Sequence, residues 1–151
     1  MVSIYDLRVD KEGKLRLRKK KTLQMDIQVT SAKIAAEIMR EAFNINVLTE
    51  EYVFIMCTDT AGNIKGLFEV SHGGIDNALI NIRGIFQRAL LCNAKNVIVA
   101  HNHPSGECNP SKDDLRTFEK LVEAGRLMEI PILDSIIIGR NCFCSIREHN
   151  K

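Results

Sequence analysis

The chain has 151 residues, 45% of them hydrophobic and 26% charged, with a formal net charge of +2; this fits one soluble globular domain with a real core and excludes a disordered or collagen-like chain. No apolar run reaches the roughly 20 residues of a membrane span and no signal-peptide pattern opens the sequence, so a cytoplasmic protein without membrane contact is expected. The five cysteines contain no Cys-x-x-Cys pair, and their odd number argues against a disulfide framework.

Charge is unevenly spread. Residues 1–21 hold eight Lys or Arg against three Asp or Glu, which leaves residues 22–151 with a net charge of −3. Val2, Ile4, Leu7 and Val9 partly alternate with polar residues, Lys11-Glu12-Gly13-Lys14 reads as a turn, and Leu15-Arg16-Leu17-Arg18 starts a second extended run. Residues 1–29 are therefore expected to form a basic arm or hairpin. The basic run 14–21 suits nucleic-acid phosphates or an acidic partner. Lysines also guard sheet edges against unwanted pairing, and no aromatic residues interleave to stack bases, so the structural reading is favoured. A protruding hairpin would also offer an edge for oligomer formation.

Residues 30–151 are expected to form the main domain. Thr30-Ser31 offers a helix cap, and Ile34, Ala35, Ile38, Met39, Ala42 and Phe43 keep helical spacing to about Asn44. Glu51-Tyr-Val-Phe-Ile-Met-Cys-Thr58 is apolar on both alternating faces after its first residue, which suits a central strand covered by helices. A turn at Asp59-Thr-Ala-Gly-Asn63 returns the chain as a partner strand over 64–70, followed by a flexible loop at Ser71-His72-Gly73-Gly74. Ile85, Phe86, Ala89 and Leu90 mark a second helix. It delivers the chain to Val97-Ile98-Val99-Ala100, a buried strand. After Ser111, residues Leu115, Phe118, Leu121, Val122 and Gly125 form the core face of a third helix. Residues 132–138, a turn at Gly139-Arg140-Asn141 and residues 142–146 close as a strand pair. The elements add up to an α/β layered domain with a mixed sheet.

The chemistry concentrates between the buried strand and the third helix. Alternate strand residues point to one side, so His101 and His103 reach one common point where the strand ends at Pro104. Turn residues lead to Ser111, with Asp114 three positions on. Ser-x-x-Asp alone is a helix cap. Its conjunction with His-x-His within fourteen residues points to a metal site: two nitrogens and a carboxylate, with a fourth zinc position left open. Cys57 and Cys92 lie in apolar segments and read as core thiols. Cys108 lies in the motif loop within reach of a metal, but the two histidines and Asp114 already complete the set.

His-x-His-Pro, six residues, then Ser-x-x-Asp resembles the JAMM (MPN+) motif of zinc metallohydrolases. The fuller string, His101-Asn-His-Pro-Ser-Gly through Ser111 and then Leu133-Asp134-Ser135-Ile136-Ile137-Ile138-Gly139, resembles the bacterial RadC family over about residues 30–148, in its short form without the helix-hairpin-helix domain. The resemblance implies a cytidine-deaminase-like JAB/MPN fold of three layers, a mixed sheet with helices on both faces. It further implies Zn2+ on His101, His103 and Asp114, and hydrolysis of a peptide or isopeptide bond in a protein or peptide substrate. In that family the proton shuttle is an acid eight residues before the aspartate of the strand-end turn, which here is Glu51, with its neighbour Glu50 expected to point the other way. Ser111 takes the family's oxyanion role, although the same residue suits a helix cap; Asp113 reads as a first-turn charge favouring the helix dipole. The sequence departs from the family at Asn81-Ile82-Arg83-Gly84, where His-Pro-Arg-Glu is common, and at Ser135, where histidine is. His72 reads as a surface-loop residue. A zinc deaminase would need His-x-Glu and a later Pro-Cys-x-x-Cys, which are absent. The alternative of another class is a DNA-associated accessory protein, of repair or mobile elements, with structural metal or none; the family's traditional name and the basic run 14–21 are what favour it.

Overall fold

A computed structural model describes residues 1–73 and 80–149. Its strands are β1 (Val2–Val9), β2 (Leu15–Leu23), β3 (Tyr52–Thr58), β4 (Ile64–His72), β5 (Asn96–Asn102), β6 (Ile132–Ile138) and β7 (Phe143–Ser145). Its helices are α1 (Ala32–Phe43), α2 (Ile82–Leu91), α3 (Lys112–Met128) and the single turn α4 (Ile146–His149). The strands form one mixed sheet in the order β2-β1-β4-β3-β5-β6-β7, so β3 is central, as its apolar sequence predicts. The β1–β4 and β5–β6 pairs are parallel, and the others antiparallel.

Strand alternation sorts the core into two layers. Phe54, Met56, Ile98, Ala100, Ile136 and Ile138 face α1 with Ala35, Ile38, Met39 and Ala42. Val53, Ile55, Cys57, Val97, Val99 and Ile137 face α2 and α3 with Ile85, Phe86, Ala89, Phe118 and Leu121. Helices therefore cover both faces of a JAB/MPN-type mixed sheet, the arrangement the resemblance implies. Each fully buried Leu, Ile or Phe here contributes about 1.5–3 kcal/mol by leaving water.

Local chemistry sets the helix ends. Ser31 Oγ accepts from Ile34 N at 3.2 Å to start α1, and Asn44, at φ 49°, ends it in the left-handed conformation. Asn81 caps α2, its Oδ1 accepting from Gly84 N at 2.9 Å, so a side chain that departs from the family pattern has a structural use. Val122, expected in the core face of α3, is 41% exposed instead; it follows buried Leu121 on the helix and falls outside the stripe that meets the sheet. Ser71 and His72, expected in a loop, are the last residues of β4. Gly74 lies outside the described residues. Of residues 142–146, expected as one strand, Cys142 precedes the short β7 and Ile146 begins α4.

The amino-terminal residues form the expected hairpin, β1 against β2. Asp10 shapes its turn, Oδ1 accepting from Glu12 N and Lys14 N at 2.9 Å each. Asp6 is ion-paired with Arg8, Arg18 and Lys20, and Asp10 with Arg16. Val2, Ile4 and Leu23 share the α1 core layer, which fixes the hairpin to the sheet. None of the described helices is long and apolar enough to cross a membrane.

Candidate metal centre

Four side chains named from the sequence converge at one end of the sheet. β5 and β3 pair with His101 opposite Val53, on the face that packs against α2 and α3. Two residues beyond His101 the chain leaves the strand, where His103 N still donates to Ile138 O at 3.2 Å. A tight turn follows, closed by Gly106 N to His103 O at 2.9 Å, with Gly106 at φ 89°, where a side chain would be strained. The chain re-enters order at a capping box: Ser111 Oγ accepts from Asp114 N at 3.0 Å, and Asp114 Oδ2 accepts from Ser111 N at 2.8 Å. That reciprocal pair turns the Asp114 carboxylate back toward the histidines.

The resulting distances suit an ion. His101 Nε2 and His103 Nε2 are 3.3 Å apart. Asp114 Oδ1 is 3.2 Å from His101 Nε2, and Oδ2 is 3.3 Å from His103 Nε2. Tetrahedral zinc with bonds of about 2.0–2.2 Å needs ligand atoms roughly 3.3 Å from one another; the two imidazole nitrogens meet that spacing, the carboxylate faces both of them through different oxygens, and the donor types suit a divalent cation. His101 is buried and its Nδ1 has no protein partner among the described residues, so Nε2 carries the polar contacts of this ring. Glu51 stands on the same side, its Oε1 3.9 Å from His101 Nε2. Ligand atoms of Glu51, His101, His103 and Asp114 all lie within 4.8 Å of one another. Glu50 is not among them.

Charge is tightly coupled within this group. Burial alone would raise the Asp114 carboxyl, but hydrogen bonds with His101 and His103, the His101 charge and Ser111 N–H outweigh it and hold the group far below the usual carboxylate range. The hydrogen bond to Asp114 raises His103 above the ordinary imidazole value, against the opposing effect of burial. Without an ion, then, the cluster holds an ionised carboxylate against a His103 ring biased toward its protonated form, and a cation taking these donors would displace that proton.

The remaining candidates fall outside the group. Ser111 occupies the cap, so the structural role weighed for it is filled; its hydroxyl proton remains available to a donor role. Asp113 is exposed beside Arg116, at 3.5 Å. His72 stacks on Tyr52, ring centroids 4.8 Å apart, and Arg83 is exposed on α2. Buried Ser135 lies opposite Val99 in the β5–β6 pair. Cys108 is not among the metal donors, in line with its sequence reading, but the expectation drawn from the odd cysteine count needs correction: Cys108 is disulfide-bonded to Cys142, which the turn after β6 brings beside the motif loop. One polar residue was passed over as a spacer between the histidines. Asn102 is buried and bonds to the backbone on both sides of Glu51. The signal was present, because asparagine is a poor strand former and a buried amide must find partners.

Comparison with known proteins gives the chain its relatives. A family model described as a RadC-like JAB domain matches residues 29–151. A UPF0758 protein of Clostridium beijerinckii is 34% identical over 134 residues, covering 88% of this chain and 57% of that protein. One from Chloroflexus aggregans is 38% identical over 115 residues, covering 76% and 49%. One from Thermotoga maritima is 38% identical over 104 residues, covering 69% and 47%. The chain spans about half the length of these curated relatives.

Proposed function

The chain belongs to the RadC-like JAB domain family, and from that premise we propose that it is a zinc-dependent hydrolase of an amide bond, peptide or isopeptide. The observation that carries the proposal is the convergence of His101 Nε2 and His103 Nε2, 3.3 Å apart, on the Asp114 carboxylate, whose two oxygens lie 3.2 and 3.3 Å from them, with a second, uncommitted carboxylate, Glu51, beside it. Those three residues would hold the ion. When bound, zinc acts as a Lewis acid toward a carbonyl oxygen and makes water acidic enough to lose a proton near pH 7.

The chain's own residues supply the rest. Glu51, partly open to solvent and 3.9 Å from His101 Nε2, takes the proton from the attacking water and delivers it to the leaving nitrogen. Ser111 Oγ already accepts from Asp114 N–H, so its hydroxyl hydrogen is the one it offers to the developing oxyanion.

Glu51→Gln tests the assignment. With zinc supplied in excess the ion remains bound, while cleavage of peptides from a proteome-derived library, read by mass spectrometry, falls by about 10²–10⁴-fold. Cleavage at the native rate would remove Glu51 from the mechanism, and a zinc-loaded native protein that cleaves no amide would remove the hydrolase. The alternative of a DNA-associated accessory protein rests on the basic run 14–21. Lys14, Arg16, Arg18 and Lys20 in that run pair with carboxylates of the same hairpin, and no observation favours that reading over the first.

A further inference from the structure

Asn102, the residue between the two histidines, has no part in the chemistry above, yet it is only 3% exposed. Its amide spends both of its functions on one neighbouring segment. Oδ1 accepts from Tyr52 N at 2.7 Å, and Nδ2 donates to Glu50 O at 2.9 Å. The residue flanked by those two bonds is Glu51.

The position needs such a brace. β3 begins at Tyr52, and its pairing with β5 ends at Val53 opposite His101, so the ladder does not reach the peptide on which Glu51 stands. Past His103 the next residue is Pro104, which has no N–H to extend the ladder. A carboxamide carries the same donor and acceptor as a peptide group, and Asn102 uses it to continue the pairing by one step with a side chain. From the other side Gly73 N donates to Glu51 O at 3.2 Å. The Glu51 carboxylate makes no hydrogen bond of its own among the described residues; its contact is His101 Nε2 at 3.9 Å. Its location is therefore inherited from its backbone.

We propose that Asn102 is a positioning residue, which locks the backbone on either side of Glu51 so that this carboxylate stands beside the His101–His103–Asp114 group. What Glu51 then does rests on the hydrolase reading above; where it stands does not. A single residue thus links the strand that carries the histidines to the segment that carries the base.

The test is a cycle of four proteins, native, Glu51→Gln, Asn102→Ala and the double variant, with zinc affinity measured by chelator competition. In the native background the loss of the Glu51 charge weakens zinc about tenfold, the lower end of what groups behind metal ligands contribute. In the Asn102→Ala background the same change costs less than about twofold, because the carboxylate has already moved away; effects of a purely structural asparagine would multiply independently. A tenfold loss in both backgrounds overturns the proposal. Asn102→Asp, equal in size and still able to accept from Tyr52 N–H, serves if the alanine variant does not fold, and shows the same coupling in smaller measure. A crystal structure of the metal-free Asn102 variant decides the point without zinc: Glu51 leaves its 3.9 Å contact with His101 Nε2, and an unmoved carboxylate overturns the inference. Failure of the native protein to bind zinc would instead refute the hydrolase reading and leave the position of Glu51 to that crystal structure.

Discussion

Replacing Asp114 with asparagine separates the metal-binding role of this residue from its role as a helix cap. Asparagine keeps an oxygen that can accept from Ser111 N–H, the 2.8 Å bond of the capping box, so the cap itself loses only about 0.5–1 kcal/mol, to which the lost charge contacts with His101 and His103 add. With an unfolding entropy of about 2.1 cal/mol/K per residue, the cap alone lowers the melting of the 151-residue chain by about 2–3 °C, and the metal-free variant melts at least that much lower. The effect on zinc is larger. Groups merely behind metal ligands are worth about 10–100-fold in affinity, so loss of a charged ligand weakens zinc by at least about 100-fold. Zinc at 100 times the native dissociation constant adds about 2.7 kcal/mol of stability by mass action, about 8 °C on this chain by the same entropy. At that concentration the variant gains only about 0.4 kcal/mol, or ~1 °C. Thermal unfolding with and without zinc reads both quantities, and Asp113→Asn is the control, since Asp113 is exposed beside Arg116. A zinc-induced rise in Asp114→Asn equal to the native one would refute the assignment of this carboxylate to the ion.

Other consequences concern the scaffold around the cluster. A Cβ at Gly139 would lie 2.5 Å from Gly106 O and 2.6 Å from Cys142 Sγ, so Gly139→Ala displaces the motif loop; it should cost about 1–3 kcal/mol in urea unfolding and weaken zinc, whereas unchanged values would show that the loop yields freely. Reduction of the Cys108–Cys142 bridge, or serine at both positions, releases a 34-residue closure and should lower stability by about 2–4 kcal/mol; equal unfolding midpoints with and without reductant would contradict the pairing. Burial raises the Asp6 carboxyl, but hydrogen bonds from Arg18 and Arg8 and the charge of Lys20 outweigh this and hold it below its ordinary value. A carboxyl lowered on folding stabilises above its unfolded pKa of about 3.9, and this contribution is lost as the pH falls through the folded value. Asp6→Asn should therefore flatten the acid limb of stability below about pH 4, and an unaltered limb would assign that loss to other groups.

The histidines were legible because strand alternation is local: residues two apart share a side whatever the rest of the chain does. Asp114 was legible through its spacing from Ser111, since a capping box has a fixed reach. Glu51 was not. Its approach to His101 depends on the register of two strands that pair His101 with Val53, nearly fifty residues apart, and only family resemblance pointed to it. The same limit hid the Cys108–Cys142 bridge, which requires the turn after β6 to fold back on the motif loop. An odd cysteine count argues about frameworks and says nothing about which two thiols a fold brings together. The basic run shows how composition misleads locally. Its charge is visible in the sequence, whereas its pairing with Asp6 and Asp10 follows from hairpin register. Helix cores were read well except at the stripe edge, where Val122 illustrates that 3.6-residue periodicity leaves about one position undecided on either side.

The central claim is that His101, His103 and Asp114 share one cation, and it is tested most directly by anomalous scattering at the zinc edge from crystals of protein purified without chelator or histidine tag. The account predicts one peak per chain, about 2.0–2.2 Å from His101 Nε2, His103 Nε2 and an Asp114 oxygen, absent in His103→Ala. A crystal with zinc supplied in excess and no peak between these three residues would contradict it.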